Sequence, residues 1–234
     1  MRLAHIPARG GSKRIPRKNV RPFCGKPIIG WVIETALRSG CFDRIVVSTD
    51  DPELAGIARQ FGAEVPFLRP AELSDDHTGL IDVIRHTISE LIPRPGPHDW
   101  VCNLLATAAL LQEEDLRASW ALIQSRPDAD FALAVAAFPA PIQRALRLDP
   151  ESRVSMFDPD QFPKRSQDLE AAYHDAGQFC WGRAQAWQEV SNVFTPRCVA
   201  VRLPAHRVQD IDTPEDWRRA EWQFRFLRET EAGS

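Results

Sequence analysis

The feature that most restricts what this chain can fold into is a regular alternation. Short apolar, β-branched runs take turns with segments of helical periodicity. Residues 3–7, 44–49, 65–68, 100–105, 131–138, 178–181 and 199–203 read as strands. Helices are predicted from Pro27 to a stop at Gly40, over 52–61, 80–91, 113–125 and 184–190, and from Pro214 onward. Strands alternating with helices of about 10–15 residues build crossover units. The expected fold class is therefore α/β, Rossmann-like, with a mostly parallel sheet between two helical layers. Residues 92–99 read as a surface linker and 139–170 as an excursion, polar and proline-rich, from one domain spanning 1–234. Ligands of such sheets sit beyond the carboxyl ends of the strands. That rule marks four places: the loop after residue 7, the stretch after 68, the turn at 106–111, and whatever follows 207–209.

Several classes are excluded early. No apolar run approaches the roughly 18 residues of a membrane span, and the N-terminus lacks the continuous apolar stretch of a secretory signal. Five cysteines, an odd number without a Cys-x-x-Cys pair, suit a reducing compartment, so a cytoplasmic location is expected. The formal net charge of −3 does not favour a nucleic-acid partner. That sum conceals an asymmetry. Arg2, Arg9, Lys13, Arg14, Arg17, Lys18, Arg21 and Lys26 all precede the first carboxylate, Glu34.

Most of these cations belong to the first marked loop, Pro7-Ala8-Arg9-Gly10-Gly11-Ser12-Lys13-Arg14-Ile15-Pro16-Arg17-Lys18-Asn19. Paired glycines let backbone N–H groups approach an oxyanion, and Arg and Lys add long-reach charge suited to a polyphosphate. The spacing fits neither a Walker A loop nor a dinucleotide fingerprint. A solvated basic loop and a phosphate cradle both remain open on composition.

Asp210 and Asp212 are one residue apart, so an extended backbone points both carboxylates the same way. Oxygen ligands of this kind suit Mg²⁺, with phosphate completing the shell. Thr213-Pro214-Glu215-Asp216 is also a helix start, which accounts for Glu215 and Asp216 through the helix dipole but accounts poorly for Asp210. A cationic loop and a carboxylate pair together point to a Mg²⁺-dependent nucleotidyl or phosphoryl transferase. His5 reads as a packed strand residue, and Cys24 and Cys102 as small core residues. Trp217, Trp222, Phe224 and Phe226 read as packing and dimer-facing positions of the last helix.

Residues 6–19 closely resemble the opening loop of the CMP-nonulosonic acid (acylneuraminate) cytidylyltransferase family. The likeness continues through residues 42–51, Leu68-Arg69-Pro70-Ala71-Glu72-Leu73 and Asp210-Ile211-Asp212, and so covers essentially the whole chain. Residues 138–146 and 165–179 are similar to the pseudaminate branch rather than the sialate branch. The 3-deoxy-manno-octulosonate branch usually lacks the Arg-Gly-Gly-Ser-Lys and Pro-Arg-Lys-Asn pair.

The resemblance implies a three-layer α/β/α nucleotide-diphospho-sugar transferase fold. It implies the reaction of CTP with a nine-carbon 2-keto sugar acid to give CMP-sugar and pyrophosphate. It assigns Arg9 and Lys13 to the triphosphate, within a nucleotide-binding run Ala8, Arg9, Gly10, Gly11, Ser12, Lys13. Lys18 falls beside the α-phosphate, Asn19 at the nucleotide and Arg69 at the cytosine edge. Asp210 and Asp212 match Mg²⁺ ligands, Asp212 counting with Arg9, Lys13 and Lys18 as catalytic. Gln143, Arg165, Tyr173 and His174 fall on the acceptor side. A homodimer is implied, with the 139–170 excursion reaching the neighbouring site, and neither nucleic acid nor membrane as partner. Leu80, Leu105 and Ala109 depart from the family pattern near the base and sugar. They keep two alternatives open: another acceptor, legionaminic or N-acetylneuraminic acid, or a nucleotide-binding regulator without turnover.

Overall fold

A computed structural model describes residues 1–232. Its strands are β1 (Arg2–Pro7), β2 (Pro22–Phe23), β3 (Lys26–Pro27), β4 (Arg44–Ser48), β5 (Trp100–Leu104), β6 (Phe131–Ala137), β7 (Leu146–Leu148), β8 (Val154–Met156), β9 (Tyr173–Arg183) and β10 (Cys198–Arg202). Its helices are α1 (Ile28–Ser39), α2 (Pro52–Gln60), α3 (Leu80–Leu91), α4 (Glu113–Gln124), α5 (Ala184–Glu189) and α6 (Pro214–Ala232).

The main sheet has the order β10-β6-β9-β5-β1-β4. β4, β1 and β5 run parallel, as do β6 and β10, while β9 is antiparallel to both β5 and β6. The mostly parallel sheet is thus as expected, with one reversed strand inside it. Alternate side chains feed two cores. Ala4, Ile6, Ile45 and Val47 pack with α1, α2 and α4 residues such as Ile29, Leu54 and Leu116. Leu3, Val46 and Val101 face Ile84, Ile88 and Trp187 of α3 and α5. Two buried faces explain why these strands read as near-continuous apolar runs.

Two expectations are corrected. Residues 65–68 form no strand; only an isolated bridge pairs Val46 with Glu64. Glu64 exchanges bonds with Ile45 and Val47, but Pro66 has no N–H to continue the ladder. The basic segment 8–26 is also not wholly solvated, because Ile15 and Phe23 are fully buried. With Ile28, Ile211, Trp217, Ala220 and Phe224 they form a third apolar cluster that ties this loop to α6.

Residues 139–170 leave the main sheet and form the small antiparallel pair β7–β8 with short 3-10 turns around it. β9 is longer than its apolar stretch, and it bulges. Leu133 pairs with Cys180 and Val135 with Asp175, so four β9 residues lie opposite Ala134. Gly177 sits in this bulge at φ +61°, a left-handed backbone that suits glycine.

Candidate active site

All four marked places meet at the carboxyl end of the parallel strands. They line one cavity of about 360 Å³, which receives Pro7, Arg9, Lys18 and Asn19 from the first loop, and Arg69, Asp75, Asp76 and Thr78 from the second. Ala106 and Thr107 come from the third, and Asp210 and Asp212 from the fourth.

The first loop is placed from below and from the side. The Ala8 N–H extends the sheet to the Ser48 carbonyl, at 2.9 Å, and Gly10 N–H donates to Asp50 Oδ1 at 3.0 Å. A Cβ at Gly10 would lie 2.6 Å from Asp51 Oδ2, so close approach to the β4–α2 turn requires glycine there. Gly11 faces open space and Ser12 is half-buried. Asn19 Nδ2 donates to the Arg9 carbonyl at 3.0 Å, folding the loop back on itself. Arg17 takes a left-handed conformation, φ 56°, held by ion pairs to Asp51 and to Glu53, the latter at 2.8 Å. That turn aims Lys18 inward. Its Nζ donates to the Ile211 carbonyl at 2.6 Å and lies 3.6 Å from Asp212 Oδ1.

Most of the cations that made the N-terminus so basic meet an acid from elsewhere in the chain. Arg2 pairs with Asp43, Arg9 and Lys13 with Asp76, Arg14 with Asp212 and Lys26 with Glu34. Arg21 instead lies 4.9 Å over the Trp217 ring. Arg69 is buried, its Nε donating to Ser74 Oγ at 3.1 Å and its guanidinium 3.8 Å from Asp50. Burial pulls its pKa down and Asp50 opposes that.

On the carboxylate side, Thr213 and Asp216 cap α6 reciprocally. Asp216 N–H donates to Thr213 Oγ1 at 3.2 Å, and Thr213 N–H to Asp216 Oδ2 at 2.8 Å. Asp216 is thereby spent on the helix, leaving Asp210 and Asp212 at the cavity. Burial raises the Asp210 pKa, the Asp212 charge raises it further, and Lys18 works against both. A carboxylate whose charge is under-compensated in this way is a fitting divalent-cation ligand. Mg²⁺ uses one or two protein carboxylates and takes its other ligands from phosphate and water. Among the described residues no group of three or more His, Cys, Asp or Glu side chains could hold a metal, so any cation here would lean on such outside ligands.

The acceptor-side expectations are dispersed in this chain. Tyr173 and His174 open β9 and line a separate cavity of about 370 Å³. Gln143 donates to the Glu170 carbonyl at 3.0 Å, and the exposed Arg165 pairs with Asp168 at 2.8 Å. None of the four lines the carboxylate cavity. Leu80 and Leu105 stand on the ridge between that cavity and a larger apolar one of about 490 Å³. Ala109 is buried in the third apolar cluster. Asp50, Asp51, Asp75 and Asp76 were not anticipated as site residues. They form two pairs of adjacent acids, 50–51 directly after a strand and 75–76 within the second marked stretch, and that doubling is the sequence signal they carry.

The profile of the cytidylyltransferase family matches residues 3–182. The chain belongs to the cytidylyltransferase family. A pseudaminic acid cytidylyltransferase of Campylobacter jejuni subsp. jejuni is 43% identical over 229 residues, 97% of this chain and 98% of the relative. A longer Helicobacter pylori protein, named as a pseudaminic acid cytidylyltransferase and UDP-2,4-diacetamido-2,4,6-trideoxy-beta-L-altropyranose hydrolase, is 34% identical over 209 residues. That match covers 89% of this chain and 40% of the Helicobacter protein. Among solved structures, a CMP:2-keto-3-deoxy-manno-octonic acid synthetase complexed with CTP superposes with a TM-score of 0.71 at 18% identity. It covers 97% of this cytidylyltransferase and 99% of its own chain, and at that identity it establishes the shared fold alone. No described helix of this cytidylyltransferase is long and apolar enough to cross a membrane.

Proposed function

We propose that this cytidylyltransferase activates pseudaminic acid with CTP, giving CMP-pseudaminic acid and pyrophosphate. The observation that carries the reading is the meeting of Arg9, Lys18 and Arg69 with Asp210 and Asp212 in one cavity beyond the strand ends. The whole-length similarity to a pseudaminic acid cytidylyltransferase supports the choice of acceptor.

In this reading the C2 hydroxyl of the sugar acid attacks the α-phosphorus in line. The new O–P bond forms as the bond to the bridging oxygen breaks, pyrophosphate departs, and the hydroxyl proton passes to solvent. Arg9 and Lys13 hold the triphosphate, with Asn19 fixing the loop backbone that carries Arg9. Lys18 stands beside Asp212 and serves the α-phosphate, where negative charge grows in the transition state. Arg69, buried and oriented by Ser74, reads the cytosine edge. Asp210 and Asp212 would hold Mg²⁺, which would offset the charge of the polyphosphate.

The separation of Gln143, Arg165, Tyr173 and His174 from this cavity favours a homodimer in which the excursion completes the acceptor side. Leu148, Val154, Phe157 and Phe162 are all exposed on that excursion, an apolar surface that a second copy would cover. Purified protein incubated with CTP, Mg²⁺ and one acid at a time, with pyrophosphate followed, tests the reading. Turnover with pseudaminic acid is expected. Turnover only with N-acetylneuraminic or legionaminic acid reassigns the acceptor, and CTP binding without pyrophosphate from any acid makes the protein a nucleotide-binding regulator.

A further inference from the structure

The cations assigned to the triphosphate are already occupied. One carboxylate, Asp76, takes both: its Oδ1 lies 2.7 Å from Arg9 Nη1, and its Oδ2 pairs with Lys13 Nζ. Two oxygens on one atom, each given to a different cation, is the pattern a phosphoryl group would present. Asp76 stands on a turn with its own internal order. Asp75 Oδ1 accepts from His77 N–H at 2.9 Å, and from Thr78 N–H and Oγ1 at 2.7 Å each, while the Asp75 carbonyl accepts from Arg9 at 2.9 Å. The turn therefore does not depend on the Asp76 side chain for its shape.

Asp76 and the turn line the same cavity as Asp210 and Asp212. Lys13, then Arg9, depress the Asp76 pKa, so the group is charged at neutral pH. A triphosphate entering this space meets a fixed negative charge already on its own binding cations.

We propose that Asp76 is a stand-in for the triphosphate, keeping Arg9 and Lys13 gathered in the free protein and giving them up when nucleotide enters. The proposal rests on the reading of Arg9 and Lys13 as triphosphate ligands. Asp76 is on this view a positioning residue, acting through the two cations and leaving the reacting atoms alone. Nucleotide binding becomes an exchange of anions, in which affinity for CTP is reduced by what the displaced carboxylate gives up. Exposed ion pairs are individually weak, a factor of roughly 1.5–5 each. Relief of the repulsion between Asp76 and the phosphates adds a comparable factor. Removing the charge should tighten CTP binding by roughly 3- to 100-fold.

The test is calorimetric titration of CTP and of cytidine, each with Mg²⁺ and without sugar acid, into the wild type, Asp76→Asn, Asp76→Ala and Arg9→Ala. Expected are tighter CTP binding in both Asp76 variants, cytidine affinity unchanged within twofold, and CTP binding weakened at least tenfold by Arg9→Ala. A role confined to the fold of the turn would move CTP and cytidine together. If Arg9→Ala leaves CTP affinity intact, the triphosphate assignment itself is wrong. If Arg9→Ala weakens CTP while the Asp76 variants bind it no more tightly, or more weakly, the assignment stands and the stand-in role is overturned.

Discussion

Replacing Phe23 with Ala tests whether the third apolar cluster is what fixes the basic loop. Phe23 is fully buried and meets the Trp217 and Phe224 rings edge-on, each at 5.4 Å between centroids. Truncating a buried Phe costs about 3–5 kcal/mol in transfer and cavity terms. Two edge-to-face contacts, each about 0.5–1.5 kcal/mol beyond burial, place the expected loss in the upper half of that range, at about 4 kcal/mol. For a chain of this size each kcal/mol lowers the midpoint by about 2–4 °C, so Tm should fall by roughly 8–16 °C. Urea denaturation followed by the summed fluorescence of the seven tryptophans gives the global free energy of unfolding. CTP affinity measured well below the new Tm should fall as well, since Phe23 and Ile15 flank Lys18 in sequence and anchor the loop on either side of it. A loss under about 1 kcal/mol, or full CTP affinity in a protein destabilised as expected, would refute the claim that this cluster positions the loop.

Asp212→Asn should abolish Mg²⁺-dependent pyrophosphate release while leaving Tm within a few degrees of the wild type; near-normal activity would remove Asp212 as a ligand. Lys18→Ala should lower kcat by about 10²–10³ with a smaller change in KM for CTP, as expected for a charge that matters most in the transition state. A rise in KM alone would move Lys18 away from the α-phosphate. Burial pushes the His5 imidazole pKa down to about 4, against a hydrogen bond to Asn103 at 3.0 Å. The unfolded chain binds that proton more readily, so stability is complete above about pH 6.5 and falls as pH drops toward 4, by about 3 kcal/mol in all. His5→Leu should flatten that slope in acid denaturation curves, and an unchanged slope would show that His5 does not govern it.

Much of the fold was legible because its signals are local. Helical spacing from Ile29 to Leu37 and a glycine at 40 defined α1, and the run from Pro52 defined α2, whose cap the structure supplies: Asp51 Oδ1 accepts from Glu53 and Leu54 N–H. The direction of β9 was not legible, since an apolar strand reads the same whichever way its neighbours run. Its bulge was equally silent, and Gly177 acquires meaning only once Leu133 and Val135 are known to pair across four residues. The four marked loops did converge, as the rule for strand ends predicts, and Lys18, Arg69 and Asp212, to which the family resemblance gives roles, all line the cavity they enclose. The pairings of the basic loop were not legible. Arg9 with Asp76, or Arg17 with Asp51, are pairings set by topology, and nothing in the spacing of either residue announces the other.

The bond from Lys18 to the Ile211 carbonyl joins positions 193 residues apart. During synthesis, at roughly 5–20 residues per second, the basic loop leaves the ribosome roughly 10–40 s before that carbonyl exists. For that interval Ile15 and Phe23 lack the Ile211, Trp217, Ala220 and Phe224 side of their cluster, and Lys18 has no carbonyl to grip. A chain that stalls anywhere in its first 200 residues therefore carries the cations without Asp210 and Asp212. On the roles proposed for Asp210 and Asp212, turnover would begin only once translation has passed them, and so would report that the chain has run on toward α6.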